Sequence, residues 1–143
     1  MTELPHDLKR PDDVDGPTVE AVGAFTLAME TVIRARGALY EFHQLTGKAD
    51  NELIRAVGLL RDAGHGRVAD ELEREIVGRN VNDRRWTFQI VEDYEQTYYE
   101  PWVERHRRVR DELLDGRGHQ REAEMKRRRS TPGEPGHGFD RSE

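Results

Sequence analysis

The 143-residue sequence contains no cysteine, so disulfides, thiolate nucleophiles and cysteine-ligated metal sites are excluded. Serine occurs only at positions 130 and 142, and neither a nucleophile elbow nor a glycine-rich phosphate loop is present. No apolar run approaches the length of a membrane span, and the N-terminus has no signal-peptide pattern. These absences favour a cytoplasmic protein without a cofactor or catalytic residues. Only acid–base catalysis by a carboxylate pair stays open, since 29 acidic residues make chance pairs unavoidable.

Charged residues are abundant in this sequence. Charged residues make up 36% of the chain and apolar residues only 34%, which predicts one domain with a modest core and solvated faces. The formal net charge of -6 argues against affinity for nucleic acid or an anionic membrane across the whole surface. We therefore expect no membrane partner and disfavour a nucleic-acid partner.

Proline and glycine are concentrated towards the two ends of the chain, and this divides it into three segments. Residues 1–16 are predicted to be a flexible acidic arm. Residues 17–115 are predicted to form a helical bundle. Residues 116–143 are predicted to be a tail, basic at first and then rich in Pro and Gly, that is largely flexible.

Helical periodicity predicts four main helices in the middle segment, and no strand pattern competes. Their expected limits are 17–46 with a stop at Gly47, 50–63 capped by Asp50 or Asn51, 67–77, and 82–115 capped by Asn82 or Asp83. The second and third helices together match the length of each of the others, across a break at the "GHG" of 64–66. The predicted fold class is therefore all-α, a helical bundle of three arms from four main helices, with the second arm broken near 64–66.

The first helix carries two apolar seams at alternating spacings of three and four. The bulky seam consists of Val22, Phe25, Met29, Val32, Arg36, Leu39 and His43. The small seam consists of Ala24, Ala28, Thr31, Ala35, Ala38, Phe42 and Leu45. Two seams need two neighbours, and alanines allow one neighbour to approach closely. This predicts a central helix, either within its own bundle or at a homodimer interface.

Aromatic residues recur at steps of four on the fourth helix: Trp86, Ile90, Tyr94, Tyr98, Trp102 and His106. Such a row follows one flank of a helix, so we interpret it as mostly core. Pro101 lies within the row and lacks a backbone donor, which predicts a kink near Tyr98.

The three-armed arrangement would bring the first and fourth helices together and create a ligand pocket from Arg36, His43, Tyr98, Trp102 and His106. His43 and His106 are also the only candidates for a metal site, because the Glu-x-x-His motif of di-metal bundles is absent. The alternative is two core histidines, each hydrogen bonded to a tyrosine or carboxylate. Arg36 needs a carboxylate partner in either case, and Glu92 or Glu95 can provide it.

A polar cluster precedes the fourth helix and includes Arg79, Asn80, Arg84, Arg85 and Gln89. Three arginines in seven residues exceed what a turn or a helix cap requires, which favours a binding site for an anion or a partner. The alternative is a capped turn.

The only strong basic block is "KRRR" at 126–129. It could follow a nucleic-acid backbone, although no aromatic residue alternates with the arginines. A solvated tail, or one that docks on an acidic surface, is the alternative.

The string "VGRNV....RWTFQIVEDYE..YY", followed by "EAEMKRRR", resembles a family of actinobacterial and archaeal all-helical proteins with no established activity. The similarity covers roughly residues 60–129. It implies an all-α fold and no particular chemistry. The two seams of the first helix and the absence of a catalytic motif predict a non-catalytic function, namely protein–protein interaction or self-association as a homo-oligomer (dimer). The alternatives are a bundle that binds a ligand or metal, and a nucleic-acid accessory protein.

Overall fold

The computed structural model describes residues 3–139, and no strand is present in that part of the chain. It contains the helices α1 (Gly16–Asp62), α2 (Gly66–Glu75), α3 (Thr87–Tyr94), α4 (Glu100–Leu114) and α5 (Gln120–Arg129). A π-helical turn, Glu95–Tyr99, joins α3 to α4 without a break, so the α-helices form four separate segments, and a short 3-10 helix lies at His6–Leu8. The predicted all-α helical bundle class is confirmed.

α1 continues through Gly47, so the predicted helix end at this residue is wrong. Glycine costs a helix about 1 kcal/mol but does not terminate it unless the backbone also changes conformation. Burial continues on the far side of Gly47, where Val57 is only 5% exposed. Asp50 lies within the helix, and its carboxylate accepts a hydrogen bond from the backbone N–H of Gly78 (3.0 Å). The predicted capping role of Asp50 or Asn51 is therefore also wrong.

The break predicted at 64–66 is confirmed, since α1 ends at Asp62 and α2 begins at Gly66. Gly64 has a φ of +86°, a left-handed conformation that side-chain-bearing residues rarely adopt. Across this turn, Arg61 near the end of α1 forms ion pairs with Asp70 and Glu73 of α2.

α3 begins at Thr87, so the predicted caps at Asn82 and Asp83 are wrong. These residues instead belong to a tight turn. Pro101 follows directly after the π-helical turn. Proline has no N–H to donate to the carbonyl of the residue four positions earlier, and its ring crowds that carbonyl. A local π-helical turn accommodates both effects. The kink at Pro101 stays a prediction.

The chain divides into two compact units, and α1 contributes to both. Unit 1 contains residues 3–31 and 101–139 of the described chain. Its buried apolar side chains are Leu4, Val22, Met29, Leu114 and Ala123. The acidic arm is held to this unit at Lys9, whose backbone carbonyl accepts a hydrogen bond from Arg117 (3.1 Å). The flexibility of the arm and the tail stays a prediction, and their ends at 1–2 and 140–143 lie outside the described residues.

Unit 2 contains residues 32–100, and its buried apolar side chains are Val32, Val57, Ala69 and Val91. Every member of the bulky seam is buried or half-buried within its unit, as predicted. The aromatic row is different: Trp86 is 46% exposed and Tyr98 is 48% exposed, so the interpretation of the row as mostly core is wrong for these two. Trp86 precedes the start of α3, and Tyr98 lies in the π-helical turn, so neither residue follows the regular steps of an α-helix.

Candidate functional site

A cleft of about 560 Å³ lies in unit 2 between the second half of α1 and the connection from α2 to α3. We call it the Trp86 cleft. Its apolar wall includes Leu53, Ile76, Val81 and Trp86, and its other lining residues are Thr46, Gly47, Ala49, Asp50, Asn51, Gly78, Arg79, Asn80 and Thr87. Ile76, Val81 and Trp86 are each more than 40% exposed, so the cleft offers apolar surface to solvent. A cavity of this size and lining is typical of sites for small organic molecules.

Two hydrogen bonds at Gly78 position the indole of Trp86 in the wall. Gly78 has a φ of +71°, and its N–H donates to the Asp50 carboxylate on α1. Its carbonyl accepts a hydrogen bond from the Trp86 indole N–H (3.2 Å). Gln89 fixes the helix start, because its side-chain oxygen accepts from the Trp86 backbone N–H (2.9 Å). The predicted site residue Gln89 therefore acts in this structure as part of a helix cap.

The segment between Arg79 and Trp86 closes on itself as a turn. Asn82 and Arg85 form an isolated antiparallel bridge, in which each backbone N–H donates to the other's carbonyl at 3.2 and 3.0 Å. The Asn82 side chain accepts from the Asp83 N–H (2.7 Å), and Arg84 has a left-handed φ of 57°. These contacts account for Asn82 and Asp83, and the anion or partner site predicted from the arginines and Asn80 stays a prediction.

Two of the three predicted arginines of this turn have partners, and these partners differ. Arg79 lines the Trp86 cleft and donates to the Glu75 carbonyl (3.3 Å). Arg85 forms an exposed ion pair with Asp93 (3.4 Å). Arg84 has no polar partner in residues 3–139, and with Arg79 it lines a shallower concavity on the turn. Of the predicted set, only Arg79 and Asn80 reach the Trp86 cleft.

Arg36 has the carboxylate partner that the sequence requires. Its guanidinium pairs with Glu95, one of the two predicted candidates, and lies over the rings of Tyr99 and Tyr40 at 4.6 and 5.0 Å from their centroids. The hydrogen bond to Glu95 raises the pKa of Arg36. Burial is the main factor that raises the pKa of the nearby Tyr94. A guanidinium occupied by a carboxylate and two aromatic rings acts as a structural cation.

His43 and His106 belong to different units, and each contacts a threonine. In unit 2, His43 Nδ1 lies 2.6 Å from the Thr87 hydroxyl. In unit 1, His106 Nε2 lies 2.9 Å from the Thr26 hydroxyl. Tyr98 lies in unit 2 and Trp102 in unit 1. The ligand pocket predicted from these residues and Arg36 stays a prediction.

His106 is held as a neutral imidazole. The Thr26 hydroxyl donates to the Val22 carbonyl (3.0 Å), so it accepts from His106, which must carry its proton on Nε2. The Phe25 ring meets the imidazole edge-on at a centroid distance of 5.3 Å. Burial lowers the pKa of His106, and the charges of Arg110 and His119 lower it further. A neutral, hydrogen-bonded histidine suits a core position.

The basic block forms the last turn of α5. Lys126 donates to the Gly138 carbonyl (2.7 Å) and lies 4.3 Å from the centre of the Phe139 ring. Arg127 pairs with Glu124 (2.7 Å). Arg128 and Arg129 are exposed, without a polar partner in residues 3–139. Half of the block is therefore used within the fold, and the nucleic-acid alternative stays a prediction.

Comparison with known protein families, curated proteins and solved structures finds no match to this chain. The resemblance of residues 60–129 to a prokaryotic family therefore stays a prediction. In residues 3–139, no three His, Asp or Glu side chains form a group able to hold a metal ion. No helix in the described chain has both the length and the apolar character to cross a membrane.

Sequence reasoning missed the α1 side of the Trp86 cleft and the exposure of Trp86 itself. The sequence pattern predicts a helix cap at Asp50 and gives no sign of a cleft beside it. The available signal was the tryptophan directly before a helix start, next to an arginine-rich turn. A large aromatic residue at that position has no preceding helical turn to cover it.

Proposed function

We propose that this is a non-catalytic, cytoplasmic protein that forms a homodimer through the small seam of α1. The observation that carries the proposal is exposure: six of the seven seam residues are exposed, and Ala28 is half-buried. Phe42 and Leu45 are 44% and 55% exposed. The opposite, bulky seam is already covered by the chain itself. An apolar seam at heptad spacing without an intramolecular neighbour is typical of a helix-pairing surface.

The size pattern of the seam favours two copies of α1 in antiparallel contact. In that arrangement Ala35 lies opposite Ala38 of the second copy, so two alanine layers form the centre and allow close approach. Phe42 then lies opposite the second copy's Thr31, and Leu45 opposite its Ala28. Each large side chain meets a small one, as efficient packing requires. The same contacts occur twice, as expected for a two-fold dimer.

The charges that flank the seam support the same orientation. Arg34 and Glu41 occupy equivalent heptad positions beside the seam, and neither has a polar partner in the described chain. Antiparallel pairing places Arg34 of each copy near Glu41 of the other. Parallel pairing would place Arg34 near Leu39 and Glu41 near Thr46, with no charge complementarity. The charge pattern therefore distinguishes the two orientations.

Sedimentation velocity of the full chain tests the proposal. We expect a concentration-dependent dimer that Ala38→Arg converts to a monomer, because a long cation replaces a central alanine. Gln44→Arg is the matched control, since it adds the same charge to an exposed position of α1 outside the seam. A monomer at all concentrations, or equal effects of the two substitutions, would contradict the proposal.

Charge reversal tests the orientation. Arg34→Glu should weaken an antiparallel dimer, and the double substitution Arg34→Glu with Glu41→Arg should restore it. A double variant that is as weak as Arg34→Glu would exclude the antiparallel contact while leaving dimerisation itself measurable.

The Trp86 cleft supports a second candidate function, binding of a small organic anion. Ile76, Val81 and Trp86 would contact its apolar body, and Arg79 would bind its negative group. The probe is 8-anilinonaphthalene-1-sulfonate, an aromatic sulfonate, measured by its fluorescence. Arg79→Gln should weaken binding, whereas Arg67→Gln, an exposed arginine of α2 outside the cleft, should leave it unchanged. Equal binding by all three proteins would remove this candidate.

A further inference from the structure

A second, much smaller cavity lies in unit 1, where α1, α4 and the start of α5 meet. Its volume is about 20 Å³. It is lined by Val19, Val22, Gly23, Thr26, Arg110, Leu114, Gly118, His119, Gln120, Arg121 and Glu122. A cavity needs about 10–15 Å³ to hold one water molecule, so this one accepts a single water or a single monatomic ion. Sulfate, phosphate and carboxylate ligands are too large for it.

Two buried hydrogen-bond donors in the lining lack an acceptor. Neither the Arg110 Nε nor the Gln120 Nε2 has a hydrogen-bond partner within residues 3–139. Gln120 is only 6% exposed, so water at the surface does not satisfy its amide. A buried donor without a partner costs about 1–3 kcal/mol, and most native structures avoid that cost by placing an acceptor nearby.

Arg110 also lacks a counter-charge. Its guanidinium is half-buried and forms no ion pair within the described chain. Its side chain lies over Gly118, where an added Cβ would be 3.0 Å from Nη1. A partly buried cation needs an opposite charge close to it.

The start of α5 adds further donors. Gln120 is the first residue of this ten-residue helix, and the His119 side chain does not cap it. The first N–H groups of a helix have no intrahelical acceptor, and the helix dipole places partial positive charge there. Gln120, Arg121 and Glu122 all line the cavity. The residues that carry these donors thus line one small cavity, together with Glu122.

We propose that this cavity is a binding site for one chloride ion, which is the counter-ion of Arg110 and caps α5. A chloride ion accepts hydrogen bonds from every direction and donates none, which fits a set of unsatisfied donors. A water molecule would also donate hydrogen bonds, and the Thr26 hydroxyl in the lining already accepts one from His106. The Glu122 carboxylate, also in the lining, lies 4.0 Å from His119 Nδ1 at an exposed position. The ion would link α5 to α4 and α1 within unit 1.

Urea unfolding of the full chain in sodium chloride and in sodium gluconate at equal ionic strength tests the site. Above its Kd, each tenfold rise in chloride should raise the folding equilibrium constant about tenfold. Gln120→Leu should abolish the dependence on chloride. Gln44→Leu, the same change at an exposed position of α1, should retain it. Chloride dependence that survives Gln120→Leu would overturn the assignment.

Gln120→Glu keeps the test decisive if Gln120→Leu does not fold. This substitution places a carboxylate beside Arg110, so the variant should fold without dependence on chloride. In crystals grown with bromide, an anomalous peak should lie between Arg110 Nε and Gln120 Nε2. A water molecule at that position, together with chloride-independent unfolding of the wild type, would show that the cavity is a hydration site.

Discussion

Leu114 is the largest fully buried side chain in residues 3–139, at 1% exposed, and Leu114→Ala should strongly destabilise the protein. Burial of a leucine side chain contributes about 1.5–3 kcal/mol, and the cavity left by truncation adds to the loss. Leu114 already borders the 20 Å³ cavity of unit 1, so truncation would enlarge an existing space instead of allowing the neighbours to close over it. We expect a loss of about 3 kcal/mol in the free energy of unfolding.

The preceding residue provides a matched control. Leu113 is 42% exposed, and Leu113→Ala should cost less than about 1 kcal/mol. Urea denaturation followed by far-UV circular dichroism compares the two variants on one helix. With an m-value of about 2 kcal/mol/M, Leu114→Ala should lower the midpoint by roughly 1.5 M, and Leu113→Ala by less than about 0.5 M. Equal shifts would refute the burial of Leu114, and so the packing of α4 in unit 1.

Three further predictions concern individual backbone and side-chain positions. Gly47→Ala should raise the free energy of unfolding by about 0.5–1 kcal/mol, since Gly47 lies inside a helix with open space at its Cβ. Gly64→Ala should lower the free energy of unfolding, because the φ of Gly64 is +86°. If both substitutions change the urea midpoint in the same direction, α1 ends earlier than in this structure. Gln89→Ala should cost about 1 kcal/mol through loss of the cap on α3, and unchanged helicity and midpoint would exclude that role. The lowered pKa of His106 means that unfolding takes up a proton, so stability is complete above pH about 6.5 and falls as pH decreases through the folded-state pKa. In urea titrations at several pH values, His106→Asn should reduce the dependence of the free energy of unfolding on pH. The control His65→Asn, at an exposed position, should leave that dependence unchanged. The same pH dependence in both variants would contradict the prediction for His106.

The features that were predictable from the sequence depend on periodicity and on the cost of burying a charge. The three-four spacing from Val22 to His43 predicted the buried face of α1, because side chains at that spacing share one side of a helix. Arg36 lies within this face, so a carboxylate had to meet it, and Glu95 does so. Gly64 was recognisable because two glycines flank a histidine directly after a helical segment.

The features that were not predictable depend on competition between local preference and packing. Gly47 resembles Gly64 as a helix terminator, but burial on both sides carries α1 through it. Trp86 belongs to the same step-of-four row as residues that are half-buried, yet it lies outside the helix that follows. Asp50 reaches the Trp86 cleft because a residue 28 positions away donates to its carboxylate, a contact that no local pattern contains.

The core is small: nine apolar side chains other than proline are buried within residues 3–139. For the proposed dimer, this connects folding to protein concentration by mass action. Each tenfold dilution would lower the free energy of unfolding of the dimer by about 1.4 kcal/mol, an effect as large as many single substitutions. The apparent melting temperature would then depend on how much protein is present. Above the dissociation constant of the dimer, the folded fraction would then rise with the amount of protein present.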